Sequence, residues 1–220
     1  MAVLAIHPAD SFKLKAALEE WQTRLQASFM GVESGITLSL ETTCASQVLS
    51  APDQSIWLNT LNAAPHGVWR MSQRVPGVVD CSNNLGMVDV QPVHGQCNFM
   101  VRSLRMAEAE ALGAEIASLW ALTATAVEMT GHYPGWAPNP DSPLLAVCQS
   151  VYQREFNAES CVKVIHAGLE CGLIGDKYPG MDIVSFGPTI QGAHAPGEAV
   201  EIASVDRVWH LLKAILASLK

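Results

Sequence analysis

The chain has 220 residues, 49% of them hydrophobic and 15% charged, with a formal net charge of -8. A chain of that size can bury roughly 70% of its unfolded surface, so this composition excludes a disordered protein. The acidic balance, a pI near 5.3 and the lack of any basic run exclude a nucleic-acid or anionic-membrane partner, because both need a positive field.

Met1–Phe12 has no positive segment ahead of its short apolar stretch and does not read as a signal peptide. No apolar run approaches the roughly 18 residues of a membrane span. Six cysteines lie scattered without C-x-x-C spacing, which argues against a zinc knuckle or a disulfide scaffold and for a reducing, cytoplasmic setting.

Pro8-Ala9-Asp10-Ser11 supplies capping residues, and Leu14, Leu18, Trp21 and Leu25 then recur at helical spacing to about Met30. Ile36–Glu41 alternates apolar and polar residues, the period of a half-buried strand. A second helix is predicted over Pro52–Ala63, ended by Pro65-His66-Gly67. Three extended segments follow, Val68–Gln73, Gly77–Val90 and Gly95–Ser103, and Pro76 and Gln91-Pro92 divide them as hairpins. The alanine-rich stretch Met106–Met129 predicts a long helix with Leu112, Ile116 and Leu119 on one stripe.

At Gly131-His132-Tyr133-Pro134-Gly135-Trp136-Ala137-Pro138-Asn139-Pro140 the composition changes, and a domain boundary is placed there. Beyond it the expected order is helix (Pro143–Asn157), strand (Cys161–Ile165), short helix (Gly168–Ile174), strand (Met181–Phe186), glycine-rich loop and final helix (Ala203–Leu219). That last helix carries Val205, Val208, Trp209, Leu212 and Ile215 on one face. The first part therefore reads as α+β, and the second as the edge of an α/β sheet with some parallel strands.

Three places could carry chemistry. His166-Ala167-Gly168-Leu169-Glu170 follows a predicted strand and opens a helix; ligands collect at such strand ends, and the free N–H groups of a helix start suit an anion. The same residues also fit an ordinary strand-to-helix turn with a satisfied histidine and a solvated Glu170. His194 stands among small residues in a loop and could donate an imidazole nitrogen to zinc, although one histidine is not a zinc site. On Gly95–Ser103, Cys97, Phe99 and Val101 face one way and Gln96, Asn98, Met100 and Arg102 the other. Arg102 could receive a carboxylate in a bidentate contact, or sit in a surface ion pair.

His166-Ala-Gly-Leu-Glu-Cys-Gly172, Met181-Asp-Ile-Val-Ser-Phe-Gly-Pro-Thr-Ile190 and Gly192-Ala-His-Ala-Pro-Gly-Glu198 together resemble the C-terminal motifs of the cytosolic aminoacyl-histidine (Xaa-His, non-specific) dipeptidases. Ala5-Ile-His-Pro-Ala-Asp10, Asn84-Leu-Gly86, Val101-Arg-Ser103 and Tyr133-Pro-Gly-Trp136 also look like that family, in order. The resemblance implies a two-zinc peptidase that hydrolyses dipeptides. Its fold would be the latter part of an α+β lid domain over residues 1–131, followed over 132–220 by the C-terminal part of an α/β catalytic domain, with a homodimer formed through the lid. It implies His194 as the last metal ligand, Arg102 and Gly168 as substrate contacts, and a place for His166 and Glu170 within the motif.

The family's other ligands come from an H-x-D motif, a Glu-Glu pair whose first member is the general base, and a further aspartate, all in its N-terminal half. None is matched here: His7 is followed by Pro8 and Ala9, and Glu19-Glu20 reads as the solvated face of the first helix. With one matched ligand the chain cannot assemble a two-metal site, so it is expected to be inactive alone. The alternative is a non-catalytic module that dimerises or binds peptides.

Overall fold

The computed structural model describes every residue of the chain except 34, 92–93, 167–168 and 220. It divides into two compact units, Met1–Asn59 with Asp89–Gln96, and Thr60–Val88 with Cys97–Lys220.

In the first unit, His7 Nδ1 accepts from the Ala9 backbone N–H and starts a short 3-10 turn that leads into α1 (Ser11–Ser28). Leu14, Leu18 and Leu25 form its half-buried stripe, while Trp21 stays mostly exposed. The strand expected over Ile36–Glu41 is not formed. Instead the Gln22 side-chain amide donates to the Ile36 carbonyl at 2.7 Å and accepts from the Leu38 N–H, taking the place of a neighbouring backbone. Alternation alone makes no strand where no second strand pairs with it. Most of α2 (Ala51–Ala63) also lies in this unit and matches the predicted helix.

The second unit is built on β1 (Gly67–Met71), β2 (Val79–Val90) and β3 (Gly95–Ser103), in the order β1-β2-β3. The tip of the β2–β3 hairpin belongs to the first unit. β1 and β2 are antiparallel, with Val68 opposite Ser82 and a slip that brings Arg70 opposite Cys81. β3 alternates as predicted, with Cys97, Phe99 and Val101 half-buried and Asn98, Met100 and Arg102 exposed.

α3 (Met106–Ala121) covers this sheet with Leu112, Ile116 and Trp120, one per turn. The Phe99 and Trp120 rings lie 6.2 Å apart, and Cys81 is fully buried against the Glu108 carbonyl. The helix stops well short of Met129. Thr123 Oγ1 turns back to the Trp120 carbonyl and Ala124 adopts φ +53, an example of a side-chain hydroxyl competing with the helical ladder.

α4 (Pro143–Phe156) has Ser142 as its N-cap, Pro143 in its first turn and Asn157 in the left-handed conformation at its end. It packs on α6 (Ile202–Ser218) through Val151, Leu211 and Ile215, joined by Val147, Tyr152 and Phe156. Arg207 lies 4.4 Å above the Phe156 ring and donates to the Tyr152 hydroxyl, and Glu155 meets His210 at 2.8 Å. The face of α6 inferred from sequence is divided: Ile215 is buried, whereas Trp209 is 58% exposed and Ile202 and Leu216 share its open side.

α5 (Glu170–Lys177) starts and ends slightly later than predicted. Cys161–Ile165 and Met181–Phe186 carry no regular structure, so the parallel strands expected there are absent among the described residues. The loop before α6 contains a short antiparallel pair that the sequence did not reveal, β4 (Ile190–Gln191) with β5 (Ala199–Val200).

Candidate functional site

Two motif glycines bring the end of β3, the Tyr133–Trp136 segment and the start of α5 together. A Cβ on Gly135 would overlap the Ser103 carbonyl and lie 2.5 Å from the Leu104 carbon; one on Gly172 would overlap the Pro134 carbonyl oxygen and lie 3.3 Å from its carbon. Backbone can approach backbone this closely only where no side chain intervenes. Two segments that carry candidate residues, the end of β3 with Arg102 and the start of α5 with Glu170, are therefore stacked through main chain on either side of Tyr133–Trp136.

His166 is half-buried, and its Nε2 lies 2.7 Å from Ser82 Oγ on β2, a contact that spans 84 residues of sequence. Burial, and next the positive charge of Arg102, push the imidazole below its ordinary pKa, against a smaller opposite pull from Asp80. The ring is thus held neutral near pH 7. Arg102 is exposed and makes no ion pair among the described residues. Glu170 occupies the exposed first turn of α5, where a carboxylate suits the helix dipole. Gly168, the expected backbone contact to substrate, lies outside the described residues.

Beneath this group, Asp80 is 5% exposed and bonds Arg105 at 2.7 Å, while Arg70 and Arg105 both reach Glu108. The network ties β1 and β2 to the first turn of α3. Its sequence signal is faint: strict alternation puts Asp80 on the face opposite the buried Cys81, where a charge is ordinary, and only the structure shows that both are buried beside the strand slip.

His194 lies in the turn between β4 and β5. Its φ of +63 falls in the left-handed region, uncommon for a residue with a Cβ and costing about 1–2 kcal/mol. The turn is shaped by Gly192 and Gly197, by a bond from the Ala195 N–H to the Gly192 carbonyl, and by the Glu198 carboxylate, which accepts from the His194 N–H at 3.1 Å. The imidazole itself is exposed and forms no hydrogen bond or ion pair among the described residues, leaving a nitrogen lone pair open to a metal. No group of three or more His, Cys, Asp or Glu side chains among the described residues could hold a metal ion. One donor fits a share in a metal site; the chain's described residues do not make a complete one.

The Met181–Ile190 motif contributes Asp182. It accepts from Ser142 Oγ at 2.7 Å and from the Leu144 N–H at 2.9 Å, and these bonds hold its carboxyl below the usual range. Its role is to fasten an irregular segment to the start of α4. All six cysteines are free thiols, and burial raises Cys81, Cys97 and Cys148, making them poor nucleophiles.

Over 216 residues, 98% of the chain, it is 36% identical to the cytosol non-specific dipeptidase of Escherichia coli strain K12. It superposes on the aminoacylhistidine dipeptidase of Vibrio alginolyticus with a TM-score of 0.83 and 34% identity over 96% of the chain. These two matches support the dipeptidase family for this chain. It corresponds to the family's C-terminal part and spans 44% of the length of each of these two relatives. The aminopeptidase PepT of Bacillus cereus ATCC 10987 shares the fold at 19% identity, with a TM-score of 0.59 over 75% of the chain. No protein-family model matches the chain. The mixed helix-and-sheet class inferred from sequence agrees with that of the dipeptidase structure.

Proposed function

We propose that this chain is the C-terminal part of a metal-dependent cytoplasmic dipeptidase acting on Xaa-His and other dipeptides. Residues 1–131 would be the latter part of a lid that also mediates homodimer formation, and 132–220 the end of the catalytic domain. The observation that supports this reading best is the 36% identity over nearly the whole chain to an enzyme named as a non-specific dipeptidase. His194 then supplies one donor to a zinc site, and Arg102 holds the substrate carboxylate.

Peptide hydrolysis of this kind needs several convergent metal donors and a carboxylate base to take a proton from water. The residues described here bring one such donor, so their own contribution is to bind and orient substrate, and the 220 residues alone are inactive. Purified chain supplied with zinc and an Xaa-His dipeptide should show no turnover; appreciable hydrolysis would refute this. A chimera of the Escherichia coli enzyme carrying this chain in place of its matched 216 residues should hydrolyse dipeptides, and His194→Ala within it should lose at least about a hundredfold in rate. A chimera as active with His194→Ala as without it would remove His194 from the metal site.

A further inference from the structure

The contact between Ser82 and His166 is the longest-range side-chain hydrogen bond of the region, and nothing in the proposed reaction yet uses it. We propose that Ser82 is a positioning residue: its hydroxyl donates to His166 Nε2 and so leaves the proton on Nδ1, which becomes a neutral second arm beside Arg102 for a peptide carboxylate. This rests on the reading of Arg102 as the carboxylate's charged anchor.

Three observations support it. Ser82 Oγ is half-buried and has no other hydrogen-bond partner among the described residues, so donating to the ring is how its proton is satisfied. A neutral imidazole has one donor and one acceptor nitrogen, and filling the acceptor fixes which nitrogen is the donor. Arg102 stands on β3, the strand beside β2, where the bond from the Leu104 N–H to the Asp80 carbonyl brings Arg102 level with Ser82, the partner of the ring, and β3 is packed main chain to main chain against the Tyr133–Trp136 segment that also receives α5. The groups facing His166 are then one fixed cation, Arg102, and one carboxylate, Asp80, already occupied by Arg70 and Arg105. A carboxylate arriving beside Arg102 meets a donor in place of a competing negative charge.

The experiment uses the full chain, with the imidazole nitrogen shifts of His166 assigned by comparison with His166→Gln. Wild-type His166 should carry its proton on Nδ1, and glycylglycine should shift its ring signals saturably while glycinamide-capped glycylglycine, lacking the carboxylate, should not. In Ser82→Ala the proton should redistribute toward Nε2, the preferred site in an unconstrained histidine side chain, and glycylglycine should bind about three- to tenfold more weakly, the worth of one neutral hydrogen bond. Ser82→Thr, which restores the hydroxyl, should recover both. Unchanged backbone shifts along β1 and β2 identify variants that keep the sheet. An Nδ1 proton retained in Ser82→Ala, or equal binding by that variant, overturns the proposal. Arg102→Gln should abolish binding yet leave the tautomer as in the wild type. Undiminished binding in Arg102→Gln overturns the reading of Arg102, and the paired subsite with it, whereas the tautomer in Ser82→Ala tests Ser82 alone.

Discussion

α5 contains two glycines three residues apart whose replacement by alanine should move stability in opposite directions. Ordinarily Gly→Ala inside a helix gains about 0.5–1 kcal/mol, because alanine loses less backbone entropy on folding. At Gly175 the added Cβ would meet Ile183 Cδ1 at 3.6 Å, an ordinary contact, so Gly175→Ala should gain that amount. At Gly172 the same methyl would overlap the carbonyl oxygen of Pro134 and approach the Gly135 carbon at 3.5 Å. These are backbone atoms and cannot rotate aside, so over-packing costs about 1–3 kcal/mol and outweighs the gain, for a net loss of about 1–2 kcal/mol. Urea unfolding followed by far-UV circular dichroism gives both midpoints; with an unchanged slope, a shifted midpoint reports stability. Midpoints moving the same way in the two variants, or Gly172→Ala at or above the wild type, would refute the close backbone stacking that joins α5 to Tyr133–Trp136.

Ser142→Ala should cost about 1 kcal/mol by uncapping α4, measured in the same unfolding experiment. The Asp182 carboxyl, held low by Ser142 and Leu144, adds stability above the ordinary carboxylate range that is lost as pH falls through its lowered value. Asp182→Asn should therefore flatten the acid limb of the stability profile, and an unaltered limb would contradict the bonds seen here. The open side of α6, with Ile202, Trp209 and Leu216 exposed, should make the isolated chain self-associate. Sedimentation velocity should show larger species that Trp209→Glu combined with Leu216→Glu disperses at unchanged helix content; a monomeric wild type counts against it.

The helices were legible because each announces itself locally. Pro143 marks the start of α4, and Leu112 and Ile116 mark the buried stripe of α3, through helix-start chemistry and spacing that depend only on near neighbours. β3 was legible for the same reason: its alternation survives because a sheet partner and α3 lie where the pattern needs them. Ile36–Glu41 has equal alternation and no strand, since its N–H and C=O groups found the Gln22 amide instead. Motif resemblance pointed to Arg102, His166 and His194, but not to Ser82, whose serine in a strand looks like any solvated hydroxyl.

Sequence by itself determined the helices, the three strands β1 to β3 and the resemblance to the dipeptidases, because propensity, periodicity and motif order are properties of neighbouring residues. Only the tertiary structure decided which segments meet: that Gly135 and Gly172 are spacers between main chains, that Ser82 holds His166 across 84 residues, and that α6 buries Leu211 and Ile215 while leaving Trp209 open. Such choices depend on contacts between residues distant in the chain, and no local pattern encodes them.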